Sequence, residues 1–293
     1  MVKSRFTNNK QIVRDLQGTT IKERFGERLG ELRYFGLSSD EMKDIIDWNS
    51  SFSHFTAAER GDPPDCYKKQ HLLMLTAFKT NIMSKLFLLR GDIDNIILAG
   101  KDDSGKPVEY PFDVISLDYS GGLFYRNDRS ELYRLNAIKQ VINGQSKHKI
   151  PYLLFISANL DNSKDGEVKN IFDDIKTELT RSGFNSDEVV RAYMEHDRDE
   201  ARLKIYVPYF VNQVAALVNY HCETEKVIVY LGNRQTHMMN FRFFLMHNPR
   251  TTAPRFPKER LAQIFNAPMI GIMDGKSKEV SLGLPKLVRQ HKD

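Results

Sequence analysis

Phe112-Asp-Val-Ile-Ser-Leu-Asp-Tyr-Ser-Gly-Gly122 sets the fold class. Val114 to Leu117, with Phe112 before them, form an apolar run of the length expected for a strand buried on both faces of a parallel sheet. Such sheets bind ligands beyond the carboxyl ends of their strands, which places Asp118 at the edge of a site. Gly121 and Gly122 let backbone approach a ligand where a side chain would block it. The same residues also suit a strand that ends in an Asx-type turn.

Upstream, Ser38 and Glu41 stand at capping-box spacing and predict a short helix over Ser39 to Trp48, with Met42, Ile45 and Ile46 inward. Residues 1 to 35 are polar and charged, with helical character expected only over Ile21 to Leu29. Phe52 to Ala58 reads as a strand ending at Glu59, and the prolines between Gly61 and Asp65 mark a loop. Tyr67 to Phe87 reads as a helix, with Leu72, Leu73, Leu75, Ala77 and Phe78 buried, followed by a strand that stops at Arg90, Gly91 and Asp92. Asn95 to Ala99 suits either an edge excursion or a helical turn.

Downstream, Leu132, Leu135, Ile138, Val141 and Ile142 repeat at three and four, which is helical and one-sided. PYLLFISANL, opening at Pro151, is a second buried strand. Helices are expected over Val168 to Leu179 and near Tyr209 to Tyr220, then strands Glu225 to Leu231 and Met238 to Met246. A short helix about Lys258 to Phe265 and a basic tail close the chain. Strands alternating with helices of this length indicate α/β layering, and the short polar loop GNRQTH makes the last strand antiparallel. The expected architecture is a Rossmann-like α/β fold: a mostly parallel central sheet closed by an antiparallel last strand, with helices on both faces. The expected division is an N-terminal helical extension over 1–31, the α/β domain over 32–248 and a C-terminal extension over 249–293.

Composition bounds the function. The chain has 293 residues, 41% of them apolar and 28% charged, enough for a real core and far from a disordered composition. No apolar run approaches the roughly 18 residues of a membrane span, and MVKSRFTNNK has no hydrophobic signal core, so a cytoplasmic location is expected. Cys66 and Cys222 are far apart with no CxxC, which gives neither a disulfide framework nor a zinc ribbon. The formal charge of +5 permits a phosphate-rich partner without demanding one. The region from Lys276 to Lys292 is mainly basic and that from Asp92 to Asp118 acidic.

In element order the chain resembles the class I S-adenosylmethionine-dependent methyltransferase-like proteins over roughly Leu32 to Met246. The resemblance implies S-adenosylmethionine as cofactor. It places Glu59 on the ribose hydroxyls, Asp92 on the adenine amine, and Asp118, Tyr119, Ser120, Gly121 and Gly122 around the methionine end and the acceptor. Asp118 or Tyr119 would then accept the acceptor's proton. The family's glycine-rich first turn is represented only by Gly36 in ELRYFGLSSDE. The Asp-Pro-Pro-aromatic pocket of base-amine methyltransferases is reduced to DYSGG without proline, which leaves the acceptor class open.

Arg126, Arg129 and Arg242 suit a nucleic-acid backbone if the fold gathers them, and helical faces are ordinarily charged as well. His237 lies in the loop before the last strand and reads first as a solvent residue. No His, Cys or acid spacing indicates a metal site. Two alternatives stay open: a non-catalytic methyltransferase-like subunit that binds a protein or nucleic-acid partner, and a Mg²⁺ nuclease using Asp92, Asp94 and Asp118.

Overall fold

A computed structural model describes residues 5–37, 42–59, 65–124, 132–160, 166–181, 184, 186–232, 236–248, 258–273 and 275–285. Five strands make the parallel core: β1 (Leu32–Leu37), β2 (Phe52–Glu59), β3 (Leu86–Asp92), β4 (Val114–Gly122) and β5 (Tyr152–Asn159). They lie in the order β3-β2-β1-β4-β5. The long strand β8 (His237–His247) runs antiparallel beside β5, and β7 (Val227–Leu231) runs antiparallel to β8 and so parallel to the core.

β6 (Tyr220–Thr224) pairs with the other half of β8. Thr224 faces Phe243 and Ile228 faces Asn240, so four steps on one side meet three on the other. β6 and β7 are therefore one strand interrupted by a bulge between Glu225 and Ile228. The resulting order, with an antiparallel strand inserted next to a final parallel one, is the Rossmann-like arrangement expected from the sequence. Two further strands, β9 (Met269–Met273) and β10 (Lys276–Val280), extend the sheet beyond β7.

Both faces are covered, which is why the core strands read as unbroken apolar runs. Along β4 the side chains alternate. Val114 joins a cluster with Tyr34, Trp48, Phe52, Phe55 and Phe155 under α1 (Arg5–Phe25), α2 (Lys43–Trp48) and α3 (Asp65–Lys79). Ile115, Leu117 and Tyr119 join the larger cluster under α4 (Ile93–Ala99), α5 (Tyr133–Ser146), α6 (Gly166–Arg181), α7 (Ser186–Met194) and α8 (Asp199–Leu217). α9 (Lys258–Asn266) adds Leu261, Ile264 and Phe265 to the same cluster. Among the described residues no helix is long and apolar enough to cross a membrane.

Several expectations need correction. α1 is 21 residues long, not one or two turns, because its sheet-facing side buries polar Asn9, Arg14, Gln17 and Thr20 beside Val13, Ile21 and Phe25. α8 begins ten residues earlier than expected and carries Pro208 inside it; being buried on nearly every side, it shows no amphipathic stripe. In α2, Ile46 points to solvent while Ile45 and Trp48 are buried. In α3, Leu73 and Ala77 are fully buried, but Leu72, Leu75 and Phe78 are exposed. The capping-box residues Ser38 and Glu41 lie outside the described residues.

Candidate functional site

The chain adds β2 and β3 on one side of β1, and β4 and β5 on the other, so the strand order reverses between β1 and β4. Such a switch point opens a crevice at the carboxyl ends. Here the β1–β4 ladder stops at Gly36 opposite Ser116. Gly36 permits that approach: a Cβ there would stand 2.4 Å from the Ser116 carbonyl oxygen and 2.5 Å from the Tyr34 hydroxyl.

Asp118 lies two residues beyond Ser116, still paired with Ser157 of β5, on the α1 face. Its Oδ2 is 2.5 Å from Lys10 Nζ. Arg14 Nε is 2.9 Å from Asp44 Oδ1 in the same cluster. The four charges, with Ser116 and Tyr230, line a cavity with room for roughly one water molecule. Burial pushes the Asp44 carboxyl up to about 6, and the Asp118 charge adds to the effect. Asp118 raises the Lys10 ammonium above its ordinary value.

Tyr119, the next residue, points to the opposite face and is fully buried. Its hydroxyl donates to Asp94 Oδ1 at 2.8 Å, and the Arg134 guanidinium lies 5.1 Å from its ring centroid. Burial first, then Asp94, raises the phenol well above its ordinary range. A phenol so held stays protonated and occupied, so the expected proton-accepting role does not suit it. Arg134 also donates to the Gly122 carbonyl and fills the space in front of Gly121, where a Cβ would meet it at 3.0 Å. Gly121 thus gives room to an internal arginine, and Gly122 offers it a carbonyl. Ser120 is part of β4.

At the neighbouring strand ends, Glu59 pairs with Asp92 after a register shift that follows Ala57. Asp92 caps α4, its Oδ1 accepting from the amides of Asp94 and Asn95 at 3.0 and 3.3 Å. The two expected cofactor acids are brought side by side at the backbone level. Asp94 and Asp118, by contrast, project to opposite faces of the sheet, which separates the acids a nuclease would need together. Among the described residues no group of three or more His, Cys, Asp or Glu is arranged to hold a metal.

Arg126 and Arg129 lie outside the described residues. Arg242 is not at a basic edge: it is buried under α1, donating to Thr20 Oγ1 at 3.0 Å with Glu225 Oε2 at 3.6 Å. Burial lowers its pKa from the usual arginine range. From there it cannot reach a phosphate backbone.

A pair that the sequence reading did not join completes the edge. Gly122, Asn159 and Met238 lie in one row across β4, β5 and β8. His237 is the next residue beyond that row, roughly 10 Å from β4 at two strand spacings. Its Nδ1 is 3.6 Å from Oε1 of Glu200, a buried carboxylate in the first turn of α8 that Arg198 also approaches at 3.3 Å. The imidazole itself is 60% exposed. Its only sequence signal was a histidine at the mouth of a strand, since Glu200 lies 37 positions away.

No family model and no curated protein sequence matches the chain. Solved structures that resemble it include the O-methyltransferase TomG from Streptomyces achromogenes in complex with SAM, at 11% identity and a TM-score of 0.43 over 79% of this chain and 80% of that one. Another is the O-methyltransferase from Bacillus cereus in complex with SAH, at 10% identity and TM-score 0.42, covering 83% and 93%. A third is the N-methyltransferase NodS from Bradyrhizobium japonicum WM9, at 10% identity and TM-score 0.41, covering 80% and 96%.

Proposed function

We propose that the chain is an S-adenosylmethionine-dependent methyltransferase whose cofactor lies across the carboxyl ends of β1, β2 and β3, with the acceptor beyond β4 and β5. The observation that carries this reading is the pairing of Glu59 with Asp92 at adjacent strand ends, beside a ladder that opens after Gly36 and Ser116. A carboxylate at Glu59 accepts both hydroxyls of a ribose. Asp92, oriented by its helix-cap bonds, supplies an acceptor for an exocyclic amine. When bound, the cofactor supplies a methyl group activated by a sulfonium.

The chain's own part is alignment, exclusion of water and handling of one proton. Tyr119, Asp94 and Arg134 hold the end of β4 rigid from below. His237 presents its exposed Nε2 as the proton acceptor, and Glu200 behind Nδ1 steadies the imidazolium that forms.

Calorimetric titration with S-adenosylmethionine and S-adenosylhomocysteine tests the reading. The expected result is saturable heat with thermal stabilisation, weakened at least tenfold by Glu59→Gln. No heat and no stabilisation at millimolar ligand would overturn it.

The engagement of Asp118 by Lys10 favours a second reading, a non-catalytic methyltransferase-like subunit with a protein or nucleic-acid partner. It predicts silence in the same titration together with a stable partner complex.

A further inference from the structure

A cavity of about 250 Å³ opens between one face of α1 and the end of α2. Asp15, Gly18 and Lys22 follow one another at helical spacing along α1, and Asp47, Trp48 and Ser51 face them. Ser51 directly precedes β2, at the opposite end of that strand from Glu59, which puts the cavity roughly 25 Å from the Glu59 end.

Trp48 turns its polar edge to this cavity. Its ring packs against Tyr34 and Phe155 in the core, and the residue is 5% exposed. A Cβ on Gly18, the only glycine of α1, would stand 3.1 Å from the indole Nε1 and 3.4 Å from Cδ1, so the N–H edge faces the helix there. Buried indoles ordinarily set that N–H on an acceptor. Among the described residues Trp48 Nε1 has none.

The charges sort along the groove. Gln11 Nε2 donates to Asp15 Oδ1 at 3.0 Å and to Asp47 Oδ2 at 2.8 Å, and so holds two carboxylates together. Arg14 reaches the same Asp47 oxygen at 3.5 Å, which leaves Asp15 Oδ2 and Asp47 Oδ1 with no partner among the described residues. One turn farther along α1, about 5 Å, the indole N–H offers a donor. Lys22, on a bond that leans back toward the helix N-terminus, lines the same cavity and has no acidic partner among the described residues.

We propose that this cavity binds a free α-amino acid with a small polar side chain. Its ammonium lies between Asp15 and Asp47, and its carboxylate accepts from Trp48 Nε1–H and Lys22. Acceptors for a cation and donors for an anion, one helical turn apart, suit a molecule that carries both charges on a single carbon. The volume equals about eight waters at about 30 Å³ each, which is the size of such a molecule. The hydroxyls of Thr19, Ser50 and Ser51 remain to meet its side chain. A lone amine or a lone carboxylate satisfies only one half of the groove, so both are rejected. The site is independent of the cofactor cleft and of any methyl transfer.

Trp48 is the only tryptophan of the chain, so its fluorescence reads the cavity directly. Titration of the full chain with L-serine, L-threonine and L-asparagine should change that fluorescence saturably for at least one of them, with acetate and methylammonium each weaker by about tenfold or more. Asp15→Asn and Lys22→Gln, both at exposed positions, should each weaken the amino acid by about tenfold or more without altering the circular dichroism spectrum. The comparison of amino acid, acetate and methylammonium on the wild type decides the matter even where a variant misfolds. No saturable change with any of the three amino acids, acetate or methylammonium binding as well as they do, or a response indifferent to both variants would overturn the proposal.

Discussion

Lys10 Nζ sits 2.5 Å from Asp118 Oδ2, so the N-terminal helix is tied by charge to the carboxyl end of the central strand. The contact joins residues that a reader of the sequence has no reason to connect. It also places two carboxylates, Asp118 and Asp44, in one small cavity with two cations.

That cluster makes stability fall with rising pH in two separate windows. Asp44 has its folded value raised to about 6 from 3.8, so the native state holds the proton more tightly, and the group's contribution falls as pH rises between those values. Relative to wild type, Asp44→Asn should gain stability from pH 4 to pH 7, by on the order of 3 kcal/mol at most. Lys10 is raised as well, so its contribution is intact below about pH 10.5 and is lost as pH climbs through the folded value. Lys10→Met should cost about 1 kcal/mol at neutral pH and less at alkaline pH. Urea unfolding of the wild type and both variants across pH checks these slopes.

Gly36 is required by packing before any ligand is considered. Gly36→Ala should destabilise by about 2 kcal/mol or more, since the nearest atom is a fixed backbone carbonyl. Removing the Tyr34 hydroxyl in a Gly36→Ala, Tyr34→Phe double variant should recover only part of that loss. Full recovery by thermal melts would locate the conflict in the side chain instead.

Asp92 has a structural duty that must be separated from its cofactor role. Asp92→Ala should lower stability by about 1 kcal/mol through loss of the α4 cap. Asp92→Asn keeps a capping oxygen and should leave the melting temperature nearly unchanged while weakening S-adenosylmethionine binding several-fold. Equal binding by Asp92→Asn and wild type in calorimetry would remove Asp92 from the cofactor site.

Strands buried on both faces were legible because burial forces continuous apolar runs: Val114 to Leu117 and Tyr152 to Ile156 are all fully or nearly fully buried. α1 was not legible, because it meets the sheet through polar residues, among them Arg14 and Thr20, whose partners Asp44 and Arg242 lie elsewhere in the chain. β10 escaped for a different reason. Its KSKEV is a mostly exposed edge strand, and charge on an edge guards against further pairing while erasing the apolar alternation. In α3 the helix was legible and Leu73 and Ala77 are buried as expected, but Leu72, Leu75 and Phe78, also expected inside, face outward. The strand-end positions of Glu59 and Asp92 were legible in the sequence, whereas the Lys10–Asp118 and Glu200–His237 contacts depend on three-dimensional proximity alone.

Lys204 offers a prediction of opposite sign to most core substitutions. It is 7% exposed in α8, and burial brings its ammonium down to about 8. The unfolded chain holds that proton up to about pH 10.5, so folding at neutral pH carries the cost of a buried charge, and stability rises as pH goes from 8 to 10.5. Its one described acceptor, the Phe265 carbonyl at 2.8 Å, also accepts from the Tyr193 hydroxyl at 3.3 Å. Lys204→Met therefore removes the charge without orphaning the carbonyl. The variant should be more stable than wild type at pH 7, by up to roughly 3 kcal/mol, and the advantage should fade toward pH 10. Chemical denaturation at the two pH values decides it: an advantage that persists at pH 10 would assign the gain to packing, and a loss at pH 7 would show that the ammonium's hydrogen bond outweighs its desolvation.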